Sequence, residues 1–299
     1  MTARKRVLVL GGGGMLGHKL FQVLQEGCDT YATFRQFDAR LRMTGVFDLA
    51  RVIDGVDAWD MTSVRRSISE IRPDWVVNCI GVIKQLEEAR DAKVSIYVNA
   101  LFPHLLGQCS RDAGVRMIHL STDCVFSGKK GDYVEEDPSD ADDLYGKTKY
   151  LGEVSDGHAL TLRTSIIGRD LFSDVSLIDW FLSQRTKKVN GYTRSIFAGL
   201  TTEALSREIW RIISDYPRLH GLYHVSSTKI SKFDLLNLVN RLFEAAVTIE
   251  AFDGVHCDRS LRSERYRQET GFVPPPWESM LAVMANDPTP YDRFRRAPT

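Results

Sequence analysis

The sequence predicts an α/β fold, a doubly wound parallel sheet with a smaller C-terminal lobe. Three observations point to it. Short, continuously apolar runs such as Val7–Leu10 and Trp75–Val77 have the character of strands buried on both faces. Helical periodicity fills the stretches between them. A run of four glycines, Gly11–Gly14, sits where the first strand should turn into the first helix.

Taken in order, Val7–Leu10 is the first strand and Met15–Gln25 the first helix, with Leu16, Leu20, Val23 and Leu24 on one face. Thr30–Phe34 is a second strand. Thr62 or Ser63 caps a helix that runs to Ile71 and is stopped by Pro73. After the buried strand Trp75–Ile80, Ala92–Ala113 reads as one helix bent at Pro103, and Val115–Ser121 as a further strand. Leu144–Val154 reads as a helix. Strand, crossover and strand repeated in this way imply right-handed βαβ units.

Past residue 165 the rhythm changes. Ser176–Gln184, Thr202–Ile213 and Ser231–Ala245 read as helices, the last with a capping-box-like start from Ser231 and Asp234. Leu222–Ser226 and Val247–Phe252 read as strands. Asp253–Glu269 mixes charge with few apolar residues, and Asn286–Thr299 reads as a frayed tail. The expected division is a dinucleotide-binding domain over 1–165. Residues 166–299 are expected to be mostly a substrate-binding lobe, interleaved with returning sheet elements and leaving a cleft.

Composition narrows the function. The chain has 299 residues, 43% hydrophobic and 26% charged, which suits a large packed core and not a disordered chain. Thirty-nine Lys and Arg balance 39 Asp and Glu, so no global positive field exists to gather nucleic acid or anionic lipid. The longest apolar stretches fall far short of the ~20 residues a bilayer requires. Met1–Arg6 is basic, but only four apolar residues precede the glycines, so it reads as the lead-in to a strand rather than a leader. The five cysteines, Cys28, Cys79, Cys109, Cys124 and Cys257, show no ligand spacing, from which a reducing cytoplasm and no metal site are expected.

The glycine run reads as Gly12-x-Gly14-x-x-Gly17 or Gly11-x-x-Gly14-x-x-Gly17. Glycines allow a tight turn and close approach of a pyrophosphate to the helix N-terminus, whose N–H groups and dipole favour an anion. The second strand ends Thr33-Phe34-Arg35, and the nearest acids, Asp29 and Asp38, flank the place where an acid would hold a ribose 2′-hydroxyl. The guanidinium of Arg35 suits a 2′-phosphate instead, which favours NADP, with NAD as the alternative. Ser121-Thr122-Asp123 closes a strand, and Tyr145-Gly146-Lys147-Thr148-Lys149 follows, with Tyr145 and Lys149 one helical turn apart. A nearby ammonium eases a phenol toward phenolate, so such a tyrosine can hand a proton to a developing alkoxide while a hydroxyl such as that of Thr122 adds a hydrogen bond.

The segments Gly11–Gly17, Ser121–Phe126 and Tyr145–Lys149, with Arg72–Asn78, Val98–Ala100 and Leu162–Ser165, resemble the extended short-chain dehydrogenase/reductase superfamily. Within it they are most similar to the dTDP-4-dehydrorhamnose reductases and related nucleotide-sugar 4-keto reductases. The likeness covers the first ~170 residues well and the C-terminal lobe loosely. It implies a Rossmann-type fold of the extended class and an NADP-dependent reductase of a nucleotide-activated 4-keto-6-deoxy sugar. It further implies Tyr145 as general acid, Lys149 on the nicotinamide ribose, and Thr122, or Ser121, on the substrate carbonyl. Gly11, Gly14, Met15, Leu16 and Gly17 would hold the pyrophosphate. Asp60 and Met61 would lie along adenine, and Asn78, Cys79, Ile80, Gly81 and Asn99 would line the cofactor. The family commonly has an aromatic residue where this chain has Cys124, a substrate-side position, so the sugar can differ from the rhamnose precursor. The alternatives are a nucleotide-sugar epimerase or dehydratase with bound NAD, or a non-catalytic regulatory NADP-binding subunit. The expected partner is a nucleotide sugar, with neither nucleic acid nor membrane, and a homodimer stays open.

Other residues favour plainer readings. His18 reads as packing or surface, His119 as a satisfied core imidazole, and Trp180 and Trp210 as helix packing. Lys84, Gln85 and Glu87 follow a strand end and read equally as a loop or as ligand contacts. Arg262, Arg265 and Arg267 read as a solvated basic run rather than a diphosphate grip.

Overall fold

The computed structural model describes residues 4–84 and 87–296. The chain divides into two compact units, each assembled from several segments. Unit 1 is Met1–Thr122, Asp142–Arg163 and Ser206–Tyr223; unit 2 is Asp123–Ala141, Thr164–Leu205 and His224–Thr299.

Unit 1 begins β1 (Arg6–Leu10), α1 (Met15–Leu24), β2 (Asp29–Thr33), α2 (Ala39–Met43), β3 (Val52–Ile53), α3 (Met61–Ile71) and β4 (Trp75–Asn78). It continues through α4 (Ala92–Ser95), a π-helical run over Ile96–Leu101, α5 (Phe102–Asp112), β5 (Arg116–Thr122), α6 (Leu144–Leu151) and β6 (Ala159–Thr164). The central parallel sheet has seven strands, ordered β11-β6-β5-β4-β1-β2-β3 with β11 at Gly221–His224. The strand order reverses between β1 and β4, where ligands of doubly wound sheets bind beyond the carboxyl ends. Register places Leu10 opposite Asn78 and Asn78 opposite His119. Leu8, Leu10 and Val76 are fully buried with Phe102, Leu106 and Met117, each such side chain contributing about 1.5–3 kcal/mol.

Several expectations need correction. The cap of α3 is Asp60, whose Oδ1 accepts from Thr62 N at 2.9 Å, and neither Thr62 nor Ser63. The helix ends at Arg72 in the left-handed region (φ 49°) ahead of Pro73. Residues 92–113 are not one α-helix bent at proline. The irregularity is the π-helical run, and Pro103 falls in the first turn of α5. There the missing N–H costs least. β6 was not anticipated, and the strand expected near Leu222 is β11 of the main sheet.

In unit 2 follow β7 (Ile166–Ile167), α7 (Leu177–Leu182), β8 (Lys188–Tyr192), β9 (Ser195–Phe197), β10 (Leu200–Thr201), α8 (Thr202–Asp215, which runs on into unit 1), β12 (Ile230–Ser231) and α9 (Lys232–Leu242). Then come β13 (Thr248–Phe252), β14 (Cys257–Asp258), α10 (Glu264–Thr270), α11 (Trp277–Ala285) and α12 (Tyr291–Arg296). β8 pairs in parallel with β13, and Ser231 Oγ caps α9 through Asp234 N at 3.0 Å. The tail is not frayed over its described part: α12 buries Tyr291 and Phe294. Asp179, with no exposed side-chain surface, anchors it by accepting from Arg169 Nε at 2.5 Å and from Arg295 at 2.7 Å.

Candidate active site at the carboxyl edge of the sheet

The opening turn is built by steric necessity. Gly11 has φ +82°, and a Cβ on it would lie 3.0 Å from Ile80 Cγ1. A Cβ on Gly17 would lie 2.1 Å from Gly11 O, so α1 can approach the turn only because this residue is bare. Gly14, the N-cap of α1, is different: it is exposed, and the nearest atom to an added Cβ is Gly11 O at 3.5 Å. No side chain caps α1, whereas Asp38, Asp60, Asp91 and Asp143 cap α2, α3, α4 and α6. The ten-residue helix thus opens on an exposed glycine with no side-chain cap, and Met15, Leu16 and Gly17 form its first turn, the end of a helix dipole that favours an anion.

The acids near β2 are committed elsewhere. Asp29 starts the strand and pairs with Arg6 and Arg51, and Asp38 accepts from Leu41 N at 2.9 Å as the cap of α2. Asp54, which sequence reasoning did not single out, reaches this loop but spends Oδ1 on Phe37 N (2.7 Å) and Gly55 N (2.9 Å). Arg35 is exposed just past the strand. Asp60 is an exposed cap, and Met61 packs against the core.

The end of β4 is held from three sides. Asn78 Oδ1 accepts from Ile80 N at 3.1 Å, which leaves its Nδ2 to donate to His119 Nδ1 at 3.1 Å. His119 is therefore not fully satisfied: its Nε2 is buried without a partner. Burial, aided by the charge of Lys149, holds the ring neutral, well below its usual range. Asn99 clamps the following loop, accepting from Val82 N and donating to Val82 O, both at 2.9 Å. Gly81 is exposed beside it.

Thr122 ends β5 and is buried, and Cys124 lies half-buried in the short turn Asp123–Val125. Asp143 caps α6 by accepting from Gly146 N at 2.7 Å and also binds Lys84 Nζ at 2.5 Å, so Lys84 serves this cap. Tyr145, half-buried, and Lys149, buried, share one face of α6. Lys149 Nζ donates to Leu120 O at 2.7 Å, bringing α6 onto the end of β5. Burial lowers this ammonium to about 8, against the opposing charge of the Glu153 carboxylate. Burial likewise pushes the Cys79 thiol up to about 12. The structure thus gathers the glycine turn, residues 78–81, Asn99, the end of β5 and the Tyr145/Lys149 face at one edge of the sheet.

Ser121 donates its hydroxyl to Glu153 Oε1 at 2.7 Å. Glu153 and its buried partner Arg163 were missed, although Lys149 and Glu153 stand at the i, i+4 spacing that could have drawn attention. Gln85 lies outside the described residues, as does the side chain of Glu87. Arg262 and Arg265 form exposed ion pairs with Glu264 and Glu269, and Arg267 donates to Ser226 O. His18 is buried with Nδ1 2.8 Å from Gly14 O, and Trp210 packs on Gly27, while Trp180 is 38% exposed. Among the described residues no cluster of His, Cys, Asp or Glu could hold a metal ion, and no helix is long and apolar enough to cross a membrane. A hollow of about 740 Å³ lies at the opposite edge, lined by Lys5, Arg72, Trp75 and Arg116 at the strand starts, and so stands apart from this site.

Comparison with known proteins agrees with this architecture. The spore coat polysaccharide biosynthesis protein SpsK of Bacillus subtilis is 27% identical over 92% of this chain and 95% of its own. A dTDP-4-dehydrorhamnose reductase of Streptomyces griseus is 34% identical over 50% of this chain and 44% of its own. The crystal structure of dTDP-4-dehydrorhamnose reductase from Bacillus anthracis in complex with NADP superposes with a TM-score of 0.76, covering 94% of this chain and 98% of that one at 22% identity, a likeness of fold. Residues 5–289 match the model described as the RmlD substrate binding domain, and the chain belongs to that family.

Proposed function

We propose that this protein is an NADP-dependent reductase of a nucleotide-activated 4-keto-6-deoxy sugar. The observation that carries the reading is the Lys149 ammonium, buried and anchored on Leu120 O one helical turn from Tyr145, at the sheet edge that also bears the uncapped glycine turn. The names of the relatives support the same class of chemistry.

In this reading Gly11, Gly14, Met15, Leu16 and Gly17 seat the pyrophosphate, and Arg35 takes the 2′-phosphate that the committed Asp29 and Asp38 leave unopposed. Asp60 and Met61 border the adenine, and Asn78, Cys79, Ile80, Gly81 and Asn99 wall the nicotinamide side. Bound NADPH supplies the hydride. Thr122 donates a hydrogen bond to the sugar carbonyl, because the hydroxyl of its neighbour Ser121 is turned to Glu153. Tyr145 gives its phenolic proton to that oxygen as negative charge develops on it. Releasing that proton at neutral pH requires closing a gap of about three units, roughly 4 kcal/mol, and a partly desolvated ammonium can supply several kcal/mol of it. Lys149 also holds the nicotinamide ribose. Cys124 supplies less bulk than an aromatic side chain at the substrate-side position, which admits a sugar other than the rhamnose precursor. The free cysteines accord with a cytoplasmic enzyme.

The test is NADPH oxidation followed against several dTDP- and UDP-linked 4-keto-6-deoxy sugars, with product configuration read by NMR. Turnover with exchangeable NADPH is expected. Stoichiometric, tightly held NAD in the purified protein and no NADPH oxidation would overturn it in favour of an epimerase or dehydratase.

A further inference from the structure

We infer that Glu153 is a positioning residue for the Tyr145/Lys149 pair, holding the end of β5 through Ser121 and supplying the counter-charge for Lys149. The inference rests on the reductase reading for its functional meaning, but not for its test.

The carboxylate of Glu153 is fixed by three donors. Its Oε1 accepts from Ser121 Oγ at 2.7 Å and from Arg163 Nε at 2.7 Å, and its Oε2 accepts from a second guanidinium nitrogen of Arg163 at 2.8 Å. The side chains of Glu153 and Arg163 are 9% and 3% exposed, so this charge is neither solvated nor free to swing. Ser121 lies between Leu120, whose carbonyl receives Lys149 Nζ, and Thr122. One carboxylate is therefore tied to the strand that presents both the lysine's acceptor and the carbonyl-binding hydroxyl.

The groups facing Lys149 come from each packed element. β4 ends at Cys79, which burial keeps a neutral thiol, and β5 offers His119, which burial keeps neutral. α6 itself offers Tyr145, and just past its end stands Glu153; β6 contributes Arg163, whose charge is paired to that carboxylate. In this set of described residues Glu153 is the anion that favours a charged Lys149. A purely structural ion pair would add stability and leave the lysine's protonation unmoved.

The test is a titration of the cofactor-free protein by NMR with lysine labelled at ¹³Cε, the Lys149 signal being assigned by its loss in Lys149→Met. Glu153→Gln keeps one acceptor oxygen for Ser121 Oγ and Arg163 Nε, loses the second acceptor of Arg163, and removes the charge. Its Lys149 midpoint is expected to fall by about one unit, a tenfold loss of proton affinity. Glu153→Asp should recover most of the shift, and Ser121→Ala should leave the midpoint in place. Should Glu153→Gln fail to fold with Arg163 stranded, Glu153→Gln/Arg163→Met removes the orphaned charge as well; a cation then leaves with the anion, so the fall is expected relative to Arg163→Met. A wild-type midpoint in folded Glu153→Gln, or equal midpoints in Arg163→Met and the double variant, overturns the inference. In NADPH oxidation the alkaline limb of kcat should move with the midpoint. Absence of any turnover in the wild type would instead count against the reductase reading.

Discussion

Gly17 and the carbonyl oxygen of Gly11 stand so close that a single methyl group on Gly17 would come within 2.1 Å of that oxygen. The glycine turn thus contains two kinds of glycine, Gly17, demanded by the fold, and Gly14, where an added Cβ would meet nothing nearer than Gly11 O at 3.5 Å. Gly17→Ala is expected to lower the melting temperature and to weaken NADPH binding by at least about tenfold, ~1.4 kcal/mol. Gly14→Ala adopts its native φ of −76° without strain, so stability should stay within about 0.5 kcal/mol while NADPH affinity falls by about tenfold. Calorimetric titration and thermal melts on the same samples separate the two. Wild-type NADPH affinity in Gly14→Ala would remove the phosphate seat from α1.

Removing the phenol should disable chemistry without disturbing cofactor capture. Tyr145→Phe is expected to bind NADPH as the wild type does and to lose about 10²–10⁴-fold in kcat. A kcat within threefold of wild type would assign the proton to another donor.

The buried Lys149 gives stability a specific pH signature. It releases its proton at about 8 when folded and at 10.5 in an unstructured chain. Between those values the unfolded chain binds the additional proton, so stability rises with pH across that window. Below it both states are protonated and the burial cost is constant, about 3 kcal/mol. The unfolding free energy of wild type minus that of Lys149→Met should therefore increase by roughly 2–3 kcal/mol from pH 7.5 to 10.5 in urea titrations. A flat difference would mean that the ammonium is solvated.

In unit 2 the fully buried Asp179 accepts from Arg169, Arg295, Ser176 Oγ (2.9 Å) and Asp170 N (2.5 Å). Asp179→Asn turns one acceptor into a donor facing cations, and a loss of about 3–5 kcal/mol is expected in denaturant unfolding. A loss below about 1 kcal/mol would show the charges to be hydrated.

The sheet and the glycine turn were readable because β1, α1 and β4 each carry an unbroken periodic signature. β6 was not, since Ala159–Thr164 alternates polar and apolar residues and contains an arginine, which argues against burial. It is nevertheless buried throughout because Thr161 donates to Val154 O and Arg163 meets Glu153. Satisfied polarity of this kind depends on partners distant in the sequence. The same reason hid Glu153, which in isolation reads as an ordinary helical neighbour of Lys149. The π-helical run was invisible because one extra residue per turn over Ile96–Leu101 barely alters apolar spacing. For α3, Asp60, Thr62 and Ser63 are all competent caps, and only geometry selects Asp60.

The chain leaves unit 1 directly after Thr122, re-enters it shortly before Tyr145, departs again after Arg163 and returns for Ser206–Tyr223. No single cut can therefore release an intact unit 1, and domain shuffling of the kind that joins beads on a string is closed to this architecture. Changes of length are accommodated in the excursions, Asp123–Ala141 and Thr164–Leu205, only while the segments of unit 1 that flank them stay in register.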